Sequence, residues 1–180
     1  MDTMTESYGK KITTALRAVR QLHGDTSKLL VDYDKKRFTE GCYSVFENNA
    51  TRELTYNVKA QYWMAQYVYR YYAKKSTPGL VEGLTVCFFR ENIDEPILAT
   101  AQIQYRLAGD TLPCDAWDIW YLFFEPPGMC KPLGKVHTCH KGEFVRDTVD
   151  WGKVLATPLF SIKRVEDVEQ MLEQVRQTSV

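Results

Sequence analysis

Four side chains with metal-binding chemistry lie within eleven residues of the chain: Cys130, His137, Cys139 and His140. Thiolate and imidazole groups are the usual protein ligands of zinc. The spacing is unfavourable, because structural zinc sites separate their ligand pairs by a longer loop. An extended backbone would also place His140 on the face opposite His137 and Cys139. We therefore expect ordinary loop residues here, with a metal site or an enzyme that uses this cluster as the alternative.

A second candidate is Asp118, whose carboxylate lies in the most apolar stretch of the chain, residues 116–124. Burial of a carboxylate is costly unless a cation or a hydrogen-bond donor compensates its charge. One interpretation is a polar anchor in a ligand cavity, and the other is a solvent-facing Asp at the end of a strand. In the first interpretation the cavity would be lined by Trp117, Trp120, Gln102 and Arg106.

Other catalytic signatures are absent from the sequence. It contains no GxGxxG, no glycine-rich loop followed by Lys and Ser or Thr, no HExxH, no GxSxG and no CxxC. No cofactor is expected. These absences favour a non-enzymatic module over a nucleotide-dependent enzyme, a zincin or a serine hydrolase.

The charge balance gives no support for a strongly charged partner. The chain has 23 basic and 23 acidic residues, which gives no general attraction for nucleic acid or an anionic membrane. No apolar run approaches the length of a membrane span, and the first residues carry no export signal. With five unpatterned cysteines, we expect a cytoplasmic protein with free thiols.

Residues 6–37 have the apolar periodicity of a long helix. Apolar residues recur in steps of three and four from Tyr8 through Ile12 and Val19 to Tyr33. Gly24 lies in the middle, so the segment is either one helix or two. Helices of this length often pair with a second copy; the alternative is a helix lying across a sheet.

Short strands at 42–47 and 52–56 are predicted to form a hairpin, followed by a helix at 58–75. Tyr62, Tyr69 and Arg70 would share the second face of that helix. Exposed Tyr and Arg can stack on bases. Without a basic field, we expect them to contact a neighbouring helix or a protein partner instead.

A three-stranded meander is predicted over 83–125, with strands at 83–91, 97–107 and 116–124. Apolar residues line both faces of 116–124, which is typical of a central strand. An irregular segment at 126–152 follows. A strand at 154–162 contains Pro158 and should be an edge strand or break there, and a helix ends the chain near residue 178.

These elements predict an α+β fold in one domain, residues 1–180: the long helix 6–37, a core at 42–125, the irregular segment 126–152 and a final strand and helix at 154–178. The antiparallel sheet should have five or six strands, with helices packed against one face. The order of hairpin, helix and meander resembles that of PAS-like and profilin-like sensor folds, an analogy that does not determine function.

The function expected from this organisation is binding or regulation through protein contacts of the long helix. The first alternative is a small-molecule sensor with a cavity between the meander and the helices, near Asp118. The second is an enzyme or metal site at the Cys130–His140 cluster.

Overall fold

The computed structural model describes residues 2–50, 65–89, 93–125, 129–143 and 146–180. The chain divides into two units, Met1–Lys36 and Arg37–Val180. The first unit is helical, and the second contains an antiparallel sheet with two further helices. The predicted α+β class is confirmed.

A single helix, α1, spans Asp2–Thr39. Gly24 does not interrupt it, so the segment is one helix rather than two. Its end is defined by Gly41, whose φ of 76° is accessible because glycine has no Cβ. The N–H of Cys42 donates a hydrogen bond to the carbonyl of Arg37 at 3.1 Å, and the N–H of Gly41 donates one to the carbonyl of Phe38 at 3.0 Å. These two hydrogen bonds are those of a Schellman motif.

Among the described residues, six strands form the main sheet in the order β1-β2-β3-β4-β8-β7, and every neighbouring pair is antiparallel. A separate two-stranded ribbon pairs β5 with β6. The strands are β1 Tyr43–Ser44, β2 Tyr67–Ala73, β3 Leu80–Cys87, β4 Ile97–Tyr105, β5 Phe124–Glu125, β6 Met129–Cys130, β7 Val136–His140 and β8 Val149–Pro158. The predicted strand number is confirmed.

The strand predicted at 116–124 is wrong: Asp118–Phe123 forms a short helix, α2. Asp115 initiates this helix with two hydrogen bonds. Its side chain accepts one from the N–H of Trp117 at 3.0 Å, and its carbonyl accepts one from the N–H of Asp118 at 3.1 Å. The helix is buried by the surrounding core, so it is apolar on most sides. A short apolar run has this composition in a buried helix as well as in a central strand.

The helix predicted at 58–75 is wrong over 67–73, which form β2. Its aromatic and β-branched residues fit a pleated surface, and they are buried on both faces of the sheet. The hairpin–helix–meander order is therefore not observed over these residues. Residues 58–64 and the strand predicted at 52–56 lie outside the described residues, and the strand at 42–47 is reduced to β1, which pairs with β2.

The other predicted elements are confirmed with changed limits. Strands β3 and β4 begin the predicted meander, and β7 lies within the segment expected to be irregular. Strand β8 ends at Pro158, where a 3-10 turn follows. It is not an edge strand, because β4 and β7 pair with its two sides. The final helix, α3, spans Val165–Gln177.

Helices α2 and α3 cover opposite faces of the sheet rather than one. The α2 face carries Tyr71, Gly83, Ala101 and Val154, which are register neighbours across four strands. The α3 face carries the next row, Tyr72, Glu82, Gln102 and Lys153. A Cβ on Gly83 would lie 3.2 Å from Ile119 of α2, whereas Lys153 donates to carbonyls at the end of α3.

Candidate functional site

Asp118, the first residue of α2, is fully buried. Its Oδ2 accepts the hydroxyl of Tyr105 at 2.5 Å and the N–H of Asp115 at 2.8 Å. The guanidinium of Arg146 lies 3.3 Å from Oδ1. The solvent-facing interpretation is therefore wrong, because three donors compensate the burial of this carboxylate.

The pKa of Asp118 reflects this balance. Burial raises it above its ordinary value, while the hydrogen bonds from Tyr105 and Asp115 and the charge of Arg146 oppose that shift. Burial likewise raises the pKa of the neighbouring Cys114 thiol. A protonated thiol is a poor nucleophile. The hydrogen bond from Tyr105 to Asp118 connects the end of β4 to the start of α2.

The aromatic residues predicted to line a cavity with Asp118 form a cluster beside it. The ring of Trp117 lies 4.3 Å from that of Tyr67, and the ring of Trp120 lies 4.0 Å from that of Phe124. Gln102 and Arg106 are not in this cluster. Gln102 lies on the α3 face, where it donates to Glu82, and Arg106 donates to Asp150 at 2.7 Å.

The residues predicted to contact a partner are placed inside the second unit. Tyr69 and Arg70 are adjacent in β2, so they point to opposite faces, and both are buried. Arg70 donates to the carbonyl of Glu47 at 2.9 Å and thereby holds the turn after β1. Tyr62 lies outside the described residues.

Strand β7 places three of the predicted metal ligands on different faces. His137 and Cys139 share one face of this strand and His140 points to the other, as expected for an extended backbone. Within the described part of the chain, no group of three or more His, Cys, Asp or Glu residues is arranged to hold a metal ion. The side chain of Cys130 lies outside that part.

A charged cleft on the α3 face was not predicted from the sequence. It has a volume of about 550 Å³. Its floor includes Tyr72 and Glu82, and its walls come from the end of α1, the β2–β3 turn and the last turn of α3. The lining residues are Arg37, Glu40, Cys42, Tyr72, Ala73, Lys74, Thr77, Leu80, Glu82 and Arg176.

Glu82 is the centre of the charge network in this cleft. Arg176 binds its two carboxylate oxygens at 2.8 and 2.7 Å, Arg37 donates to the same group, and Gln102 donates at 3.0 Å. Burial alone would raise the pKa of Glu82, but the two guanidinium groups lower it to about 2. Its neighbours come from 45 and 94 positions away in sequence, so no local motif marked this site.

The long helix carries the surface that was predicted for partner contact. Tyr8, Ile12 and Leu16 of α1 are 68, 46 and 60% exposed. These three large apolar side chains lie four residues apart, so they follow one another along one side of the helix. We call Tyr8, Ile12, Ala15, Leu16 and Val19 the α1 stripe.

No protein-family model matches the chain, and no curated protein sequence or solved structure is significantly similar to it. Among the described residues, no helix is both long and apolar enough to cross a membrane.

Proposed function

We propose that this chain is a binding module that associates with a second copy of itself through the α1 stripe. The observation that carries the proposal is the exposure of Tyr8, Ile12 and Leu16 on one continuous helix. Contiguous apolar patches on a protein surface mark interaction sites, and these three side chains follow one another along the helix. Association would remove them from water.

The spacing of the stripe favours a coiled coil. Four residues of the stripe, Tyr8, Ile12, Ala15 and Val19, recur together with Leu22 in alternating steps of four and three, which is the 3.5-residue repeat of coiled-coil seams. Ile12 and Val19 then occupy the a positions of the heptad. Within parallel coiled coils, β-branched residues at a favour two strands. We take the partner to be a second copy in parallel orientation.

The charges near the stripe are compatible with such a pair. In a parallel coiled coil the g position of one helix faces the next e position of the other. Lys11 at g would face Leu16 at e, which carries no charge. Lys10, Arg17 and Arg20 occupy f and b positions and point away from the seam, so no like charges oppose each other across it.

The proposed association is concentration-dependent. The stripe covers only about three helical turns, and a seam of this length is marginal. The helix is already continuous in the single chain, which lowers the ordering cost of pairing. The free thiols of Cys42 and Cys114 favour a reducing compartment such as the cytoplasm for this module.

The test replaces one seam residue with a charge. Ile12→Glu places two carboxylates face to face in the pair, and we expect the dissociation constant measured by sedimentation velocity to rise at least about tenfold. Thr14→Glu is the matched control, because Thr14 occupies the exposed c position two residues away. Equal effects of the two substitutions, or none from Ile12→Glu, would contradict the proposal.

The small-molecule sensor considered as an alternative has less support near Asp118. Ile119, Leu122 and Phe123 of α2 are almost completely buried against the sheet, and Tyr105 and Arg146 occupy the polar positions around the carboxylate. The carboxylate of Asp118, which was proposed to anchor a ligand, is therefore already bonded within the chain.

A further inference from the structure

Strand β7 has one side without a neighbouring strand. Among the described residues it is the last strand of the sheet and pairs only with β8. In an antiparallel pair, successive residues direct their backbone N–H and C=O groups alternately toward the partner strand and away from it. His140 directs both groups away from β8, because its N–H donates to the carboxylate of Glu143 at 2.8 Å and its carbonyl accepts the N–H of Glu143 at 3.0 Å. Thr138 and Val136, two and four residues earlier, therefore direct theirs outward as well.

The outward groups of Val136 and Thr138 are open to a further strand. Within the part of the chain that the structure describes, no backbone hydrogen bond outside the β7–β8 pair involves either residue. Both residues are half-buried rather than enclosed. Unpaired N–H and C=O groups along a strand are a template for an extended peptide, which adds to the sheet through main-chain hydrogen bonds. We call the outward side of Val136–Thr138 the β7 edge.

The chain around the β7 edge is basic. Residues 129–142 contain three lysines and two histidines and no acidic residue. Lys135 precedes β7 and Lys141 follows it, and both are exposed. Asp150, at the start of β8, is paired with Arg106 at 2.7 Å. Like charges would face each other if the β7 edges of two copies paired, so the charge favours an acidic strand over a second copy.

Glu143 already places a carboxylate on the outward side of β7. Its side chain accepts the N–H of His140, and its own N–H occupies the carbonyl of the same residue. A carboxylate on a backbone N–H makes a charge-assisted hydrogen bond. Glu143 thus uses both outward groups of His140, which ends the pairing side of the strand there and leaves the groups of Val136 and Thr138 for a partner.

We propose that the β7 edge binds an extended acidic segment of a partner protein, which adds as a further strand along Val136–Thr138 with its carboxylates beside Lys135 and Lys141. Main-chain hydrogen bonds would hold the segment, and the two lysines would select its charge. This surface belongs to the sheet of the second unit and does not involve the α1 stripe, so the two contacts are independent.

A pair of labelled peptides tests the selection by charge. The probe is the fluorescein-labelled peptide Glu-Val-Thr-Val-Thr-Val-Glu, and its match has Lys at both ends. In fluorescence anisotropy at low ionic strength, we expect the acidic peptide to bind the full chain about tenfold more tightly. It gains two ion pairs where the basic peptide meets two like charges. Equal affinities, or tighter binding of the basic peptide, would overturn the proposal.

Substitutions at Thr138 test the main-chain pairing. Thr138→Pro removes the outward N–H and places a ring on the β7 edge, whereas the fold keeps its hydrogen bonds to β8, because proline is tolerated where the N–H faces away from the sheet. We expect binding of the acidic peptide to weaken at least about tenfold, with the urea midpoint little changed. Thr138→Ala keeps the amide and should retain binding. Unchanged binding in Thr138→Pro, or equal loss in Thr138→Ala, would overturn strand addition.

A charge exchange tests the same site without a backbone change. In the double variant Lys135→Glu and Lys141→Glu, the preference should reverse, so that the basic peptide binds about tenfold more tightly than the acidic one. The matched control is Lys75→Glu with Lys163→Glu, two exposed lysines elsewhere in the chain that change the net charge equally. A reversal of the preference in the control as large as in the β7 variant would assign the effect to general charge and overturn the site.

Amide hydrogen exchange locates the bound peptide directly. The N–H groups of His137 and Cys139 point toward β8, and those of Val136 and Thr138 point outward. Saturation with the acidic peptide should therefore slow exchange at Val136 and Thr138 at least about tenfold in NMR spectra of the full chain, with a smaller change at His137 and Cys139. Slowed exchange confined to other segments, or none at Val136 and Thr138, would overturn the proposal.

Discussion

Asp118 is a buried carboxylate and Glu82 a partly buried one, and their surroundings shift their pKa values in opposite directions. Two guanidinium groups and an amide surround Glu82, and its pKa falls to about 2. Asp118 has one guanidinium at 3.3 Å and is shielded from water by the α2 face, and burial raises its pKa. The number of cations in direct contact determines which effect prevails.

At the residue scale, Glu82 makes folding sensitive to acid. Its pKa is lowered from 4.5 to about 2 in the folded chain, so its contribution to stability is complete above about pH 5 and is lost as the pH falls from there toward 2. The contribution is about 3 kcal/mol. The effect of Asp118 on stability has the opposite sign: because its pKa is raised in the folded chain, protonation on acidification favours the folded state.

The measurement is urea unfolding of Glu82→Gln at pH 7 and pH 3. At pH 7 the substitution should destabilise the fold by about 3 kcal/mol, because two guanidinium groups lose their carboxylate. The difference from the wild type should shrink at pH 3, where the wild-type interaction is weakening. Glu95→Gln, at an exposed position, is the control and should change neither value. An undiminished difference at pH 3 would contradict the assignment.

At the element scale, two glycines allow α2 to approach the sheet. A Cβ on Gly152 of β8 would lie 2.6 Å from a methyl carbon of Leu122, and a Cβ on Gly83 of β3 would lie 2.5 Å from the carbonyl oxygen of Arg70. Both distances are below van der Waals contact. Since Gly152 lies beside a buried side chain of α2, it determines how closely that helix can lie on the sheet.

Gly152→Ala should therefore destabilise the fold by about 1–3 kcal/mol through overpacking against Leu122. The same substitution should cost less in a Leu122→Ala background, because the conflicting methyl groups are gone; this non-additivity is measured by a double-mutant cycle in urea. Gly24→Ala is the control, since no atom lies within 4 Å of its added Cβ; it should be neutral or slightly stabilising in a helix. Additive effects of Gly152→Ala and Leu122→Ala would contradict the contact.

The same elements explain which parts of the fold were predictable. The alternation of residues 97–105 and the helical period of 165–177 are strong local signals, and both elements formed as predicted. Residues 67–73 were predicted to be helical and form a strand, whereas residues 118–123 were predicted to be a strand and form a helix. Both segments are almost wholly buried. Where burial is nearly complete, polar residues no longer mark one face, and the period that separates helix from strand is lost.

The candidate sites also differ in how far the local sequence indicates them. The α1 stripe depends on one helix and its spacing, and this surface could be predicted from residues 8–19 alone. The cleft requires Arg37, Glu82 and Arg176, which only the tertiary fold brings together. Asp118 was recognised as unusual from its apolar neighbours, but its partners Tyr105 and Arg146 come from other segments.

At the scale of the whole molecule, the chain combines a helical unit that carries an exposed apolar stripe with a second unit that contains the sheet and the charged cleft. Equal numbers of acidic and basic residues, 23 each, leave no net charge to oppose association of two copies. The proposed pairing is therefore determined by the seam of α1 rather than by the general electrostatics of the chain.

Self-association through the α1 stripe is tested by the molar mass of the full chain in solution. Light scattering after size-exclusion chromatography, repeated over a series of loading concentrations, reports the mass without a label or a substitution. We expect the mass to rise from the 20.9 kDa of one chain toward twice that value as the concentration increases. A mass that stays at 20.9 kDa up to the highest concentration would contradict self-association through the α1 stripe.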